Sequence, residues 1–216
     1  MSIKIKICCI ASIAEAKLAI DSGADAIGLV AKMPSGPGPI ADELIATIAK
    51  TIPPNISSFL LTSEQSSTKI IDHIKRTGVT TVQIVDELNE GSYDHIREQL
   101  PQIKIVQVLH VIDEKTIDDA LLLQNQVDYF LLDSGNPKAA IKTLGGTGKV
   151  HDWKISRELV RQVHIPVFLA GGLNFDNVKQ AIEIVEPYGI DVCSGVRTNG
   201  LLDAERLSKF FQQAKG

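Results

Sequence analysis

The chain has 216 residues, which suits one domain and is short for two substantial ones. Hydrophobic residues make up 44% and charged residues 22%, ordinary globular values that exclude a disordered chain and supply a sizeable core. The net charge is −4 without any block of like charges, so we expect neither a nucleic-acid partner nor a membrane surface partner.

The three cysteines are Cys8, Cys9 and Cys193. An odd number without framework spacing argues against a disulfide scaffold and fits a reducing setting. The N-terminal run is too short and too alternating for a signal peptide, and no apolar run approaches the roughly 20 residues of a membrane span. We therefore expect a cytoplasmic protein without a membrane segment.

Strand-like runs rich in Ile and Val alternate with helix-like stretches along the whole chain. The predicted strands cover residues 3–10, 26–31, 57–61, 81–85, 104–109, 127–133, 167–170 and 191–194. The predicted helices cover residues 12–22, 41–51, 68–76, 93–100, 115–125, 154–163, 174–185 and 203–214. Eight units of this kind require a parallel sheet with right-handed crossovers. Because no element is left over, we predict a closed (β/α)8 TIM barrel, an α/β fold with one domain over residues 1–216.

Two connections, residues 32–40 and 134–152, are long for this architecture. Both follow strands, so both should lie at the face where barrel enzymes keep their chemistry. The second contains a glycine-rich run at residues 145–149, which is typical of a mobile cover over a site. A flexible surface loop without function is the alternative interpretation.

Glycines follow the seventh and eighth predicted strands. A phosphate needs several N–H donors at close range, glycine permits that approach, and a helix N-terminus adds a favourable dipole. Barrels often bind phosphate after these two strands. We therefore predict that phosphate is bound by Gly171, Gly172, Ser194 and Gly195, although these residues could also simply form tight turns.

Alternation along the first strand places Ile3, Ile5, Ile7 and Cys9 on one face. We predict that this face packs under the helices. Lys6 and Cys8 share the other face and should point into the barrel, with Cys8 near its active end. A thiol becomes a useful base as thiolate, which nearby positive charge from Lys6 would favour. The alternative is that Cys8 is a small buried apolar residue, the commonest fate of a free cysteine.

Asp133 ends an otherwise apolar strand, a standard catalytic position in barrels. Its carboxyl could act as a general acid if its pKa is raised, or it could cap the following loop. The histidines are scattered without ligand spacing, so we expect no metal. Neither a P-loop, a GxSxG sequence nor a Rossmann fingerprint is present.

Together these motifs resemble those of the phosphoribosylanthranilate isomerase family of tryptophan synthesis. The similarity runs in order over nearly the whole chain, and the combination of motifs is specific. It lies in residues 6–8, 23–28, 82–83, 131–133, 145–149, 152–153, 169–174, 177–178, 191–192 and 194–196.

The resemblance implies a (β/α)8 barrel and an aldose–ketose isomerase, an intramolecular oxidoreductase without a cofactor. The reaction is the Amadori rearrangement of N-(5-phosphoribosyl)anthranilate to 1-(2-carboxyphenylamino)-1-deoxyribulose 5-phosphate. By motif position Cys8 is the general base at the sugar C2 and Asp133 the general acid at the ring oxygen. The implied partner is a small phosphosugar, and we expect a monomer or homodimer. The remaining substrate-binding residues are predicted to be Lys6, Gln83, Gly146 and Gly148.

The chain departs from the family pattern on the side that should hold the anthranilate carboxylate. Residues 34–39 lack the family's arginine, so the expected bidentate grip is missing. Cys9 replaces a glycine, Arg197 replaces a glutamate and Leu202 replaces a basic residue. Residues 84–86 also differ from the usual Leu-His-Gly. Lys32 and Arg197 are the candidates to replace the lost positive charge. A related isomerase acting on another phosphosugar, or a non-catalytic phosphate-ligand-binding paralogue, are the alternative functions.

Overall fold

The structure, a computed structural model, describes residues 2–135 and 151–216. Eight parallel strands close into a barrel in chain order, which confirms the predicted (β/α)8 fold. The strands are β1 (Lys4–Ile7), β2 (Ala26–Val30), β3 (Ser57–Thr62), β4 (Thr81–Ile84), β5 (Lys104–His110), β6 (Tyr129–Asp133), β7 (Val167–Leu169) and β8 (Gly189–Val192).

Helices on the outside of the barrel connect these strands. They are α1 (Ile13–Asp21), α2 (Asp42–Ala49), α3 (Ser67–Thr77), α4 (Tyr93–Gln99), α5 (Lys115–Leu123), α6 (Trp153–Gln162), α7 (Val178–Val185) and α8 (Ala204–Lys215). Polar caps begin several of them. The Ser12 hydroxyl accepts from Glu15 N–H at α1, and the Asp152 carboxylate accepts from Lys154 N–H at α6. Among the described residues no helix is long and apolar enough to cross a bilayer.

The core has two layers because barrel strands are buried on both faces. The outer layer packs strand residues such as Ile5, Leu60 and Phe130 against the helices. The inner layer fills the barrel with Ala26, Val30, Phe59, Val106, Phe168 and their neighbours. The barrel is therefore a filled core, and a pocket is left at the carboxyl ends of its strands.

The first and last strands pair in parallel, with Lys6 opposite Asp191. The alternation predicted for the first strand stops early, since β1 ends at Ile7 and Cys9 has a positive φ of 61°. The prediction that Cys9 packs under the helices is therefore wrong. Cys9 packs instead with the barrel-interior residues near the pocket.

Two details near β8 differ from the sequence prediction. Helix α7 begins at Val178, four residues later than expected, because Asn174 pairs with Gly195 and residues 175–177 form a turn. A small antiparallel hairpin, β9 (Arg197–Thr198) with β10 (Leu201–Leu202), precedes α8. Asn199 and Gly200 make its turn, both with positive φ, which suits an Asn-Gly hairpin turn. That dipeptide was the sequence signal that could have predicted the hairpin.

Candidate active site

One pocket lies at the carboxyl ends of the strands, and its wall takes residues from the ends of all eight strands or from the loops that follow them. The loop after β2 closes one side of it with Met33, Gly36 and Pro37. The polar and glycine residues on its wall include six of those predicted from sequence, namely Cys8, Gln83, Asp133, Gly171, Gly172 and Ser194.

Cys8 lies at the end of β1, where it is 4% exposed and is the free cysteine of the chain. Burial raises the pKa of the Cys8 thiol to about 11, while the Lys6 ammonium and the Cys9 backbone N–H act in the opposite direction. The resting group is therefore a thiol at neutral pH. Deprotonation for base catalysis depends on the cation and the N–H beside it.

Lys6 is fully buried beneath the pocket, and its Nζ lies 2.9 Å from Asp191 Oδ1. Burial alone would lower the pKa of Lys6, but the Asp191 carboxylate and the neighbouring Cys8 sulfur together outweigh it and raise that pKa. Lys6 therefore stays a cation next to Cys8. Its predicted contact with substrate stays a prediction, since Lys6 is not on the pocket wall. Asp191 does line the pocket, and the sequence prediction of the site missed it.

Asp133 is the last residue of β6 and is half-buried on the pocket wall. Its Oδ1 accepts a hydrogen bond of 2.7 Å from the Ser134 backbone N–H. Its backbone carbonyl accepts from Val111 N–H, which extends the strand pairing to the edge of the pocket. The carboxyl is thus held by its neighbours at a point where it can reach a bound ligand.

The loops after β7 and β8 meet through backbone pairing between Asn174 and Gly195. Gly171 and Gly172 have φ of 83° and 65°, a conformation that glycine adopts readily. A Cβ on Gly195 would overlap the Leu173 carbonyl oxygen, so this close approach requires glycine. Because α7 begins at Val178, the expected helix N-terminus does not follow Gly172 directly. Gly171, Gly172 and Ser194 line this corner of the pocket, whereas Gly195 is not on the pocket wall and joins the two loops.

Gln83 lies on β4, is buried and faces the pocket. Its Oε1 has no hydrogen-bond partner within the part of the chain that the structure describes. A buried amide oxygen without a partner costs free energy, so a donor from a bound ligand would relieve it. This geometry supports the prediction that Gln83 contacts substrate.

Cys9 and Cys193 form a disulfide with a Cα–Cα distance of 5.8 Å. The odd number of cysteines and the lack of framework spacing argue against a disulfide scaffold, but this one bridge forms. The bridge joins the residue after Cys8 to the residue before Ser194. It therefore links the loop of the predicted base to the loop of the predicted phosphate site.

The two replacements suggested for the missing arginine differ in their surroundings. The Arg197 guanidinium binds Glu15 and the backbone carbonyls of Cys8, Cys9 and Gly200, so the hypothesis that it replaces the lost charge is wrong. Lys32 is exposed in the loop after β2 and stays a candidate.

Gly146 and Gly148, with the rest of the predicted cover at 145–149, lie outside the described residues.

His151 lies close to the same corner, although no sequence motif pointed to it. Its Nε2 lies 2.7 Å from Ser156 Oγ, and a Cβ on Gly171 would lie 3.0 Å from its Nδ1. Burial lowers the pKa of His151, although Asp133 and Asp152 act in the opposite direction. A neutral imidazole therefore packs behind the glycine loop.

Comparison with known proteins decides the family. Residues 5–213 match the model of the N-(5′-phosphoribosyl)anthranilate isomerase family. The chain belongs to this family. An isomerase relative from Methanosarcina mazei, named N-(5′-phosphoribosyl)anthranilate isomerase 2, is 38% identical over 98% of this chain and 94% of its own length.

Solved structures of phosphoribosylanthranilate isomerases have the same fold. The enzyme from Thermotoga maritima is 28% identical with a TM-score of 0.81, covering 99% of this chain and 98% of its own. Another isomerase of the family was solved in complex with reduced 1-(o-carboxyphenylamino)-1-deoxyribulose 5-phosphate. It is 26% identical with a TM-score of 0.78 over the same shares of the two chains.

Proposed function

We propose that this chain catalyses the Amadori rearrangement of N-(5-phosphoribosyl)anthranilate to 1-(2-carboxyphenylamino)-1-deoxyribulose 5-phosphate in tryptophan biosynthesis. The observation that carries the proposal is that Cys8, Asp133 and the glycine corner all line the same pocket. Opening the ribose ring requires a proton at the ring oxygen, and forming the enolamine requires removal of the C2 proton. A base and an acid on one pocket wall can supply both transfers.

Asp133 donates the proton to the ring oxygen, and Cys8 accepts the proton from C2 as a thiolate. The Lys6 ammonium faces the thiol from below and stabilises its negative charge. Asp191 holds Lys6 by a short ion pair and fixes the distance of this cation from Cys8. This arrangement lets a buried thiol reach the thiolate state without a metal or cofactor in the proposed steps.

The 5′-phosphate binds at the corner formed by Gly171, Gly172, Ser194 and Gly195. Positive φ at the two adjacent glycines turns successive backbone groups, and such turns form anion-binding concavities. The phosphate anchors the sugar so that its C1 and C2 lie over the barrel centre. Gln83 binds a hydroxyl or N–H donor of the substrate through its free Oε1.

The anthranilate ring lies on the side formed by Met33, Gly36 and Pro37. These residues offer apolar surface and backbone groups but no cation for the carboxylate. Exposed Lys32, in the same loop, supplies the positive charge in this proposal. A lysine binds carboxylate as a point charge and gives less geometric selection than a bidentate arginine.

The partner we propose is a small phosphosugar, with no role for nucleic acid, and the chain acts as a monomer or homodimer. The Thermotoga maritima isomerase is dimeric, and monomers have been generated from it. We also expect a cytoplasmic location. Cellular reductants there would hold Cys9 and Cys193 as thiols. Trapping the thiols with an alkylating agent at lysis, followed by mass spectrometry of the two cysteines, tests the location.

A steady-state assay on freshly prepared phosphoribosylanthranilate tests the function, with Cys8→Ala and Asp133→Asn as variants. We expect turnover by the wild-type chain and a loss of at least about 100-fold in kcat for each variant. Full activity of either variant would refute its assigned role. The missing loop arginine favours one other substrate class, so other aminated ribose 5-phosphates belong in the same assay. Turnover of one of these without turnover of phosphoribosylanthranilate would establish the alternative isomerase.

A further inference from the structure

Arg197, the first residue of β9, forms a bidentate ion pair with Glu15 of α1. Its Nη1 lies 2.9 Å from Glu15 Oε1, and its Nη2 lies 3.1 Å from Oε2. Both side chains are largely buried, at 9% and 13% exposed. The same carboxylate accepts from the Ala11 and Leu202 backbone N–H groups, each at 2.9 Å. Four hydrogen bonds on Glu15 therefore fix the place of the guanidinium.

The Arg197 guanidinium also contacts the backbone next to the proposed base. Nη2 donates to the Cys9 carbonyl at 2.5 Å and makes a longer contact of 3.4 Å with the Cys8 carbonyl. Cys9 is in the left-handed region, with φ of 61°, where a residue with a side chain is strained. One hydrogen bond from a buried cation to its carbonyl helps to hold Cys9 in this conformation.

The peptide between Cys8 and Cys9 has different partners at its two ends. Its carbonyl is contacted by Arg197. Its N–H is that of Cys9 and is one of the groups that act against burial, which raises the pKa of the Cys8 thiol. A charged donor on a carbonyl polarises the peptide and makes the N–H a stronger donor. The turn at Cys9 also decides where that N–H points. Arg197 thus acts on the thiol through one peptide group.

We propose that Arg197 is a positioning residue that holds the Cys8–Cys9 peptide so that its N–H stabilises the Cys8 thiolate. Arg197 touches neither the pocket nor the reacting atoms, so it is not itself catalytic. The value of this role for turnover rests on the proposed base function of Cys8. The reactivity of the thiol, however, is measurable whether or not the chain turns over phosphoribosylanthranilate.

The test is the pH dependence of Cys8 alkylation by iodoacetamide, located on Cys8 by tandem mass spectrometry. We expect Arg197→Gln to move the midpoint of the rate–pH curve upward by about one unit, which is about 10-fold slower alkylation below it. Arg197→Lys, which keeps a cationic donor, should restore at least half of that shift. Both variants keep Lys6 and Asp191, the charged residues that act directly on the thiol.

Arg157→Gln is the matched control. Arg157 also pairs with a glutamate, Glu186, and also donates to a backbone carbonyl, that of Val185, but it joins α6 to the end of α7. We expect no change in its alkylation curve. In the isomerase assay, Arg197→Gln should lower kcat about 10-fold at neutral pH and change KM less than twofold, because the phosphate corner is intact.

An alkylation curve for folded Arg197→Gln that coincides with the wild-type curve would overturn the proposal and leave Arg197 a purely structural residue. If Arg197→Gln does not fold, the same alkylation measurement on Glu15→Gln tests the proposal. It removes the anchor of the guanidinium while keeping Arg197, and we expect an upward shift of its curve. A wild-type curve for Glu15→Gln would then refute the role of Arg197.

Discussion

Gly28 on β2 leaves the space that the Cys8 thiol occupies on β1. A Cβ carbon built on Gly28 would lie 2.8 Å from Cys8 Sγ, 3.0 Å from the Cys8 Cα and 3.0 Å from Lys6 Nζ. Contacts of this kind are too short, and the Cys8 backbone cannot yield as a flexible side chain can. The absence of a side chain at Gly28 therefore sets the position of the thiol and of its cation together.

We expect Gly28→Ala to lower kcat at least about 10-fold by displacing Cys8, and to reduce the free energy of unfolding by about 1–3 kcal/mol through overpacking. Steady-state kinetics and denaturant unfolding measure the two effects. Gly78→Ala is the control, because Gly78 has a positive φ but nothing within 4 Å of its missing Cβ. It should lose stability and keep kcat. Unchanged kcat in Gly28→Ala would contradict the packing argument.

The pH dependence of catalysis follows from the buried thiol. Because burial raises the pKa of Cys8 to about 11, the thiolate fraction of the free enzyme increases about tenfold per pH unit through the neutral range. We expect log kcat/KM of Asp133→Asn to rise with a slope near one from pH 7 to 9, because this variant removes the second proton-transfer group and leaves the thiolate fraction alone to set the rate. A plateau beginning near pH 7 in this variant would show that the thiol is ionised there and would contradict the raised pKa.

The raised pKa of Cys8 also predicts that the stability of the fold decreases as the pH increases. The unfolded thiol, with an ordinary value of 9.0, loses its proton at lower pH than the folded thiol. Between about pH 9 and 11 the unfolded state is thus favoured, and the free energy of unfolding falls as pH rises. Denaturant unfolding across this window should show a smaller fall for Cys8→Ala. An identical fall in both proteins would contradict the raised pKa.

The order of the elements was predictable because strand and helix periodicities differ so clearly along this chain. Alternation in β1 also oriented Lys6 and Cys8 correctly, since that part of the strand is regular. Alternation failed at Cys9, because nothing in a cysteine signals a left-handed residue. The glycine that the family carries at this position was the available signal, since glycine suits a positive φ.

Long-range pairings were out of reach of the sequence. Glu15 and Arg197 are separated by 182 residues, and the barrel closure brings them together. The same closure pairs Cys9 with Cys193 and sets Lys6 opposite Asp191. Periodicity gives the face of each strand but not the partner of each side chain. Arg197 was therefore a candidate for the lost positive charge although its guanidinium is paired with Glu15, and Asp191 was missed as a member of the site.

A substitution at the phosphate corner should weaken substrate binding separately from the proton-transfer steps. A Cβ on Gly195 would overlap the Leu173 carbonyl and approach Asn174 Cα to 2.9 Å, so Gly195→Ala must move the two loops apart. We expect KM to rise about 10-fold or more, and inorganic phosphate to inhibit less well. Gly200→Ala, in an open turn with positive φ, serves as control. Equal KM values for Gly195→Ala and wild type would exclude the corner as the phosphate site.

The Cys9–Cys193 bridge should stabilise the fold by restricting the unfolded chain. The two cysteines are 184 residues apart, and a loop of that size corresponds to about 5 kcal/mol in the chain-entropy model. Oxidised wild type should therefore exceed Cys193→Ser in free energy of unfolding by an amount up to that value. Addition of dithiothreitol should remove the difference. Equal stability of the oxidised proteins would mean that the bridge does not form.

Recognition of the anthranilate carboxylate without the loop arginine is the last testable point. Arg197 is paired with Glu15, and the described pocket wall contains no lysine or arginine. Exposed Lys32, in the loop after β2, is therefore the candidate to bind the carboxylate. We expect Lys32→Gln to raise KM for phosphoribosylanthranilate about threefold to tenfold, as befits a partly solvated charge pair, with kcat retained. The effect should weaken at high salt because exposed charges are screened. Lys50→Gln, at the exposed end of α2, is the control. An unchanged KM at low salt for Lys32→Gln would remove Lys32 from the substrate site.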